Sequence, residues 1–294
     1  MDNPTSWPLG VVYLYLTEKC NLKCVHCWLE AEDKNIKYKE PELADYERFI
    51  RQAKPLGLNL VKVSGGEPLI RKDLLKELLL LCKDLSIRNV VETNGTLITD
   101  DAAEVLKKTN TPISISLDSI DPDEHNLFRG APTAFKRLEN GLSILEKYQV
   151  EVQAIMTLTR NNVDQVEKMI DFLKKKLNIR NLKINPVIPT GRAAKIKDKD
   201  IFLNAAELYH VSQDIHALSE SMKFPILLHL PPAFRPLSAV AKKLCGGKCS
   251  FTTLLGLLAN GNISFCGVGY TRPGYIFGSI LDTNLDLKKI WETN

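Results

Sequence analysis

The chain alternates short apolar, β-branched runs with segments that have the spacing of amphipathic helices. The runs predict six strands, near 11–17, 59–64, 88–93, 111–118, 150–158 and 180–187. Helices are predicted near 42–54, 72–85, 99–109, 132–149 and 162–177, with one more at 204–220. Nearly continuous apolar strands are typical of a parallel sheet covered by helices. Six successive strand–helix units predict an α/β fold, a partial (β/α)6 barrel of the TIM type.

The texture of the sequence changes after about residue 222. Four prolines interrupt the chain between 225 and 236, and a glycine-rich region with short apolar runs follows to about 283. This change predicts a boundary between a core at 1–222 and a small C-terminal extension at 223–294. Within the extension, Asn260-Gly261 is a strong signal for a β-hairpin turn.

Composition excludes several classes of function. The chain has 294 residues and a net charge of +4, with no clustered basic face to indicate nucleic acid as a partner. No apolar segment is long enough to predict a membrane span, and the first residues do not resemble a signal peptide. Seven cysteines without a signal peptide favour metal or redox use over disulfides, and predict a cytoplasmic protein.

Cys20, Cys24 and Cys27 form a CxxxCxxC loop directly after the first predicted strand. Three thiolates on one loop can hold three irons of a [4Fe–4S] cube and leave the fourth iron without a protein ligand. The alternative is a zinc site with His26 as fourth ligand, but zinc usually takes paired knuckles, and His26 between Cys24 and Cys27 would be strained as a co-ligand. The spacing therefore favours an Fe–S cluster with an open iron.

This loop resembles the signature of the radical S-adenosylmethionine (SAM) superfamily. Further matches follow the later strands in the family's order. They are Gly65-Gly66-Glu67-Pro68, Thr93-Asn94-Gly95, Ser116-Leu117-Asp118-Ser119 and Pro189-Thr190-Gly191-Arg192-Ala193. Each segment alone is also compatible with an ordinary tight turn or a helix cap. The ordered set, in which each member lies where a strand ends, carries the resemblance over nearly the whole chain.

The resemblance implies that SAM chelates the open iron and is held by residues at the strand ends. The implied contacts come from Gly65, Gly66 and Glu67 to the amino group, from Asn94, Ser116 and Asp118 to the ribose or carboxylate, and from the His26 backbone near the adenine. Arg129, in a stretch similar to the HDxxRG motif of peptide-modifying members, is implied to contact SAM or substrate. Its alternative is a surface loop arginine in a weak salt bridge.

The C-terminal cysteines Cys245, Cys249 and Cys266 resemble the first half of a SPASM domain, or the related twitch domain. Such domains carry auxiliary Fe–S clusters, so the resemblance implies one auxiliary cluster on these three cysteines. No cysteine follows Cys266, which indicates either a truncated chain or a twitch-like cap. The alternatives are a free, hydrogen-donating thiol at Cys245, a zinc site, or buried thiols. Cys82, within an amphipathic helix, is predicted to be a small core residue.

The resemblance implies reductive cleavage of SAM to a 5′-deoxyadenosyl radical, which abstracts a hydrogen atom from the substrate. SPASM and twitch members mostly modify peptides, so crosslinking, epimerisation or oxidation of a peptide or protein is the predicted outcome. A tetrapyrrole-pathway decarboxylase is the alternative, since such enzymes have a similar CNLKCxHC loop. The alternative of another class is a non-catalytic Fe–S or zinc protein.

The implied partners follow from this chemistry. The cluster needs an electron donor similar to flavodoxin or ferredoxin, and the substrate is a peptide or a small molecule. Only 19 residues precede Cys20, too few for a fused leader-binding domain at that end. A separate leader-recognition protein is therefore a further implied partner. Neither nucleic acid nor a membrane is expected as a partner.

Overall fold

The computed structural model describes residues 7–33, 35–176, 178–197, 199–231, 234 and 251–293. Within these ranges the chain alternates strands and helices as its periodicity predicts. The strands are β1 Val11–Tyr15, β2 Leu60–Ser64, β3 Arg88–Thr93, β4 Ile113–Ser116, β5 Val152–Leu158, β6 Ile179–Pro186, β7 Ile226–Leu228, β8 Leu254–Leu257, β9 Asn262–Ser264 and β10 Ile276–Ser279. The helices are α1 Leu43–Ala53, α2 Lys72–Asp84, α3 Asp100–Lys108, α4 Pro122–Arg129, α5 Ala134–Lys147, α6 Val166–Lys174, α7 Ala205–Met222 and α8 Leu287–Thr293.

All ten strands form one sheet, in the order β10-β9-β8-β1-β2-β3-β4-β5-β6-β7. Strands β1 to β6 are adjacent in chain order and parallel. The carboxyl ends of parallel strands lie at one edge of a sheet, so the loops that follow β1 to β6 share that edge. The predicted partial (β/α)6 barrel is confirmed.

The strands pleat so that alternate residues face the helices. On β1 and β2 these residues are Val12, Leu14, Val61 and Val63, each at most 1% exposed and part of the main hydrophobic core. The intervening residues face the inner, concave side of the sheet, and several of them are polar or charged. The helix-facing side thus supplies the hydrophobic burial, while the inner face, called the lumen below, is free to carry polar groups.

Local signals set several helix boundaries. Thr99 caps α3 by accepting a hydrogen bond from the Ala102 N–H, and Asn204 forms a capping box with Glu207 at the start of α7. Helix α4 also begins at a cap, because the Asp121 side chain accepts hydrogen bonds from the Asp123 and Glu124 N–H groups. Pro122 occupies the first helical position. The periodicity did not predict this short helix, which has only eight residues.

The C-terminal residues extend both edges of the sheet. Strand β7 pairs in parallel with β6, and β8 pairs in parallel with β1. Strands β8 and β9 form the hairpin predicted from Asn260-Gly261, with Gly261 at φ +86°. The division into domains at 1–222 and 223–294 stays a prediction. No helix within the described ranges has the length and apolar character needed to span a membrane.

Candidate active site

The CxxxCxxC loop leaves β1 at the carboxyl edge of the sheet and is largely buried. Cys20 and Cys24 are each 8% exposed, and Cys27 is half-buried. They pack with Leu22 and Ala31 in a small cluster separate from the main core. Burial raises the pKa of the Cys20 thiol to about 12, so a positive charge or a metal must stabilise the thiolate that a cluster needs.

Hydrogen-bond donors surround two of the three sulfurs. The Leu22 N–H lies 3.4 Å from Cys20 Sγ, and Asn94 Nδ2 lies 3.9 Å from the same atom. Arg129 Nη1 lies 3.8 Å from Cys24 Sγ. Donors around sulfur stabilise the anionic form and tune a cluster's potential, so this loop fits cluster-bound thiolates.

Arg192 clamps the cysteine loop from the other side. Its Nε donates to the Cys24 carbonyl at 2.8 Å and its Nη2 to the Ala31 carbonyl at 2.7 Å. Its backbone N–H donates to the Cys27 carbonyl at 3.0 Å. No local sequence pattern indicates this role of Arg192, because the contact spans 168 residues of sequence.

We expect Arg192→Met to loosen the loop without removing a cluster ligand. Charge-assisted hydrogen bonds contribute about 1.5–3 kcal/mol each, so iron release to a chelator should speed up about tenfold or more, the factor equivalent to about 1.4 kcal/mol. Arg180→Met, at an exposed position on β6, is the matched control and should release iron at the wild-type rate. Equal rates for the two variants would contradict the clamp.

The loop Gly65-Gly66-Glu67 docks against the backbone of the cysteine loop. The Gly66 N–H donates to the Thr17 carbonyl at 2.7 Å, and the Glu67 N–H to the Lys19 carbonyl at 2.8 Å. Gly65 has φ +131°, and a Cβ there would lie 2.6 Å from the Thr17 oxygen. A Cβ on Gly66 would clash with the Lys19 carbonyl. Both glycines are therefore required for the approach of the two loops.

Gly66→Ala should destabilise the protein by about 1–3 kcal/mol, because the new methyl group meets backbone that has no room to yield. Gly274→Ala is the matched control, since a Cβ there would have no neighbour within 4 Å. We expect its free energy of unfolding to change by no more than about 0.5 kcal/mol. Urea denaturation of both variants checks the difference, and equal midpoints would rule out the tight docking.

Glu67 is completely buried, and its carboxylate is held by the protein. Oε1 accepts hydrogen bonds from the Thr93 hydroxyl at 2.7 Å and from the Leu69 N–H at 3.1 Å, and Oε2 accepts from the Asn94 N–H at 2.8 Å. Burial raises the pKa of this carboxyl, and the three donors oppose that effect. Glu67 thereby joins the ends of β2 and β3. The SAM contact that the resemblance implies for it stays a prediction.

Asn94 lies at the centre of a second polar network. Its Oδ1 accepts from the Thr96 N–H and hydroxyl, at 2.9 and 2.7 Å, and its Nδ2 donates to Asn21 Oδ1 at 3.0 Å. Asn21 in turn donates to the Thr96 hydroxyl at 2.8 Å. The network ties the end of β3 to the cysteine loop. No motif in the sequence points to Asn21 or Thr96, because their contacts join residues more than 70 positions apart.

Asp118 and Arg129 form a buried ion pair beside Cys24. Arg129 Nε and Nη2 both lie 2.6 Å from Asp118 Oδ2, and the Thr157 N–H donates to Oδ1 at 2.9 Å. Burial opposes ionisation of Asp118, but Arg129 outweighs it and holds the pKa of the carboxyl below its usual range. Arg129 is 6% exposed at the end of α4, so the alternative of a surface loop arginine is wrong.

Two histidines border this pair and are neutral near pH 7. Burial lowers the pKa of both His26 and His125 to about 4, and the nearby Arg129 adds to the effect. The His26 ring stacks on Phe128 at 4.4 Å between centroids. His26 is thus positioned by stacking, and the predicted contact of its backbone with adenine is untested. Ser116, the last residue of β4, is half-buried at the same edge.

Three aromatic side chains cover the β1 side of the cysteine loop. The rings of Tyr15, Trp28 and Tyr270 meet edge to face at centroid distances of 5.7–6.1 Å. Trp28 is 39% exposed and directly follows Cys27 in the chain. Such aromatic packing gives the loop a rigid wall on this side.

The predicted auxiliary site is only partly within the described residues. Cys266 follows β9 and is half-buried, with its backbone against Gly256. Cys245 and Cys249 lie outside the described residues, so their grouping with Cys266 stays a prediction. Cys82 is fully buried in α2, which confirms it as a core residue.

Among the described residues, no three His, Cys, Asp or Glu side chains converge on a point that one metal ion could occupy. The ligands of a cube each bind a different iron, so a cluster does not need such convergence. Residues 14–173, more than half of the chain, match the family model described as the radical SAM superfamily. The chain belongs to this superfamily. Radical SAM enzymes use a [4Fe–4S] cluster and SAM, and these are therefore the cofactors of this chain.

Relatives and solved structures extend the radical SAM assignment. The chain is 30% identical over 230 residues to an AdoMet-dependent heme synthase of Methanosarcina barkeri, covering 78% of this chain and 64% of that protein. It is 28% identical over 222 residues to a GTP 3′,8-cyclase of Clostridium botulinum, covering 73% of this chain and 67% of that one. The chain thus spans less than two thirds of the heme synthase, and about half of an Fe-coproporphyrin III synthase of the same organism, to which it is 33% identical over 196 residues.

The fold also resembles that of Streptococcus suis SuiB bound to the precursor peptide SuiA. The TM-score is 0.77 at 22% identity, and the match covers 97% of this chain and 65% of SuiB. Because the match covers 97% of this chain, it includes the C-terminal strands as well as the barrel. The two proteins therefore share a fold that extends into the C-terminal part of this chain.

Proposed function

We propose that this chain reductively cleaves SAM to a 5′-deoxyadenosyl radical that abstracts a hydrogen atom from a substrate. The observation that carries the proposal is the cysteine loop, whose three thiols lie at the carboxyl edge of the sheet. When bound there, the cluster and SAM supply the electron transfer and the radical. A flavodoxin- or ferredoxin-like protein is the proposed electron donor.

The residues of the chain bind, orient and shield these cofactors. Cys20, Cys24 and Cys27 would hold three irons, and donors from Arg129 and Asn94 face two of the sulfurs. Gly65 and Gly66 bring backbone groups to the edge where the amino group of SAM would bind. The aromatic wall of Tyr15, Trp28 and Tyr270 restricts water on the β1 side.

Two observations favour two classes of substrate. The overall fold resembles that of SuiB, which was solved with a precursor peptide, and this supports modification of a peptide or protein. The similarity to a heme synthase supports a tetrapyrrole substrate instead. The heme synthase and the GTP cyclase have different substrates, yet both match over 220 residues or more. The part that these relatives share with this chain is therefore the SAM-cleaving core. We propose peptide modification first and tetrapyrrole decarboxylation second.

Anaerobic reconstitution with iron and sulfide, followed by dithionite and SAM, tests the cleavage step. We expect release of 5′-deoxyadenosine and about 4 iron atoms per chain, or about 8 if the auxiliary site also holds a cluster. An intact cluster without 5′-deoxyadenosine would support the non-catalytic alternative. Deuterium transfer from a labelled peptide or a labelled tetrapyrrole into 5′-deoxyadenosine separates the two substrate proposals.

A further inference from the structure

The lumen contains a charged group that the SAM site does not use. Lys62 of β2 and Lys183 of β6 both approach the Oε1 atom of Glu92 on β3, at 2.6 and 3.7 Å. Lys62 also lies over the ring of Tyr13, 4.9 Å from its centroid. These side chains come from four strands, so only the curvature of the sheet brings them together.

The lumen around this group is polar on neighbouring strands as well. The Ser114 hydroxyl donates to Gln153 Oε1 at 3.1 Å, and Gln153 Nε2 donates to Asn181 Oδ1 at 2.6 Å. The helix-facing residues of the same strands are apolar and nearly all fully buried. A lumen that only needed to be filled would have taken apolar side chains as well, since unpaired polar groups cost free energy when buried.

The charges do not balance within the group. Two ammonium groups face one carboxylate, which leaves a net charge of about +1 at a site of reduced dielectric. Burial and the neighbouring Lys62 lower the pKa of Lys183, whereas the two lysines hold the pKa of Glu92 below its usual value against the effect of burial. Lys183 lies beyond hydrogen-bond length of Glu92, so its ammonium is the less compensated of the two.

The group is also accessible and close to the SAM site. The side chains of Lys62, Glu92 and Lys183 are 16%, 24% and 20% exposed, so each of them keeps some contact with solvent. Ser64, which precedes Gly65, lies close enough to Glu92 to help lower the pKa of its carboxyl. Glu92 itself precedes Thr93, whose hydroxyl bonds Glu67. The charged group therefore lies directly below the loops that are proposed to hold SAM.

We propose that Lys183, assisted by Lys62, binds a carboxylate group of the substrate in the lumen. The inference deepens the proposed function and rests on it, because the lumen is where a substrate would meet the radical. A single excess positive charge matches one carboxylate, whereas a polyphosphate would call for several cations. Glu92 keeps the two ammonium groups close together in the free protein. The substrate carboxylate then binds beside Lys183.

Binding of carboxylate probes to the cluster-loaded protein with SAM tests this inference. One arm compares coproporphyrin III, a tetrapyrrole with free carboxylates, with its tetramethyl ester. The other arm compares a glutamate-containing peptide with its glutamine counterpart. We expect at least one acid to bind at least tenfold more tightly than its neutral counterpart. Lys183→Met should abolish that preference, and Lys183→Arg should retain most of it. Lys168→Met, at an exposed position on α6, is the matched control and should bind like the wild type.

Failure of this inference is distinguishable from failure of the proposed function. If the wild-type protein forms 5′-deoxyadenosine but binds acid and neutral probes equally in both arms, the carboxylate site is wrong and SAM cleavage stands. If Lys183→Met keeps the acid preference, the site is also wrong. GTP is added as a third probe: if it binds more tightly than either acid and this binding is lost in Lys183→Met, the site takes a phosphate and the carboxylate proposal is wrong. If the acid preference exists but no 5′-deoxyadenosine forms, the site stands as a binding site and the proposed function fails.

Discussion

Alanine at Cys20, Cys24 or Cys27 is expected to remove the SAM-binding cluster and with it all formation of 5′-deoxyadenosine. Each replacement deletes one of only three protein ligands, and the cube already lacks a fourth. The iron content after anaerobic reconstitution should fall by about four atoms per chain, and the visible absorbance of the cluster should fall in proportion. Iron analysis together with chromatographic detection of 5′-deoxyadenosine measures both effects.

Cys82→Ala is the control for this experiment. It removes a thiol in the same way, but from the core face of α2, where Cys82 is completely buried. Its iron content and SAM cleavage should match the wild type, with only a modest loss of stability from the smaller side chain. SAM cleavage that survives in any of the three loop variants would contradict the central assignment.

Arg129→Met is expected to destabilise the protein by about 3–5 kcal/mol, because it leaves the Asp118 carboxylate buried without its partner. Among the residues that the structure describes, the Thr157 N–H is then the one remaining hydrogen-bond donor to the Asp118 carboxylate. The variant also loses the donor next to Cys24 Sγ. The shift in the urea midpoint of the reconstituted protein, followed by circular dichroism, measures the loss.

The double variant Asp118→Asn/Arg129→Met is the control, because it removes the orphaned charge and should recover part of the stability. The pair also predicts a pH dependence. The folded pKa of Asp118 is lowered, so its stabilisation is fully present above the unfolded pKa of about 4 and is lost as the pH falls from there through the folded pKa. Arg129→Met should lack this contribution. If Arg129→Met is no less stable than the double variant, then the unpaired charge of Asp118 does not destabilise the protein.

Much of the fold followed from local sequence patterns. Each β-branched run, such as 59–64 or 88–93, became a strand close to its predicted limits, because its apolar residues suit a sheet buried by helices. The short helix α4 was missed, since its eight residues have a cap but little periodicity. Without this helix the sequence pattern places Arg129 in a surface loop, whereas its position at the end of α4 directs its side chain into the interior.

The sequence by itself determined the family, the order of the parallel strands and the three cysteines that are the candidate cluster ligands. All of these depend on residue type and spacing along the chain. Only the tertiary structure decided what the supporting residues do. Arg192 reaches carbonyls of the cysteine loop, and Lys62 and Lys183 meet at Glu92, through contacts between residues far apart in sequence. Such contacts leave no local signature, because they arise only when parallel strands curve and bring their carboxyl ends and inner faces together.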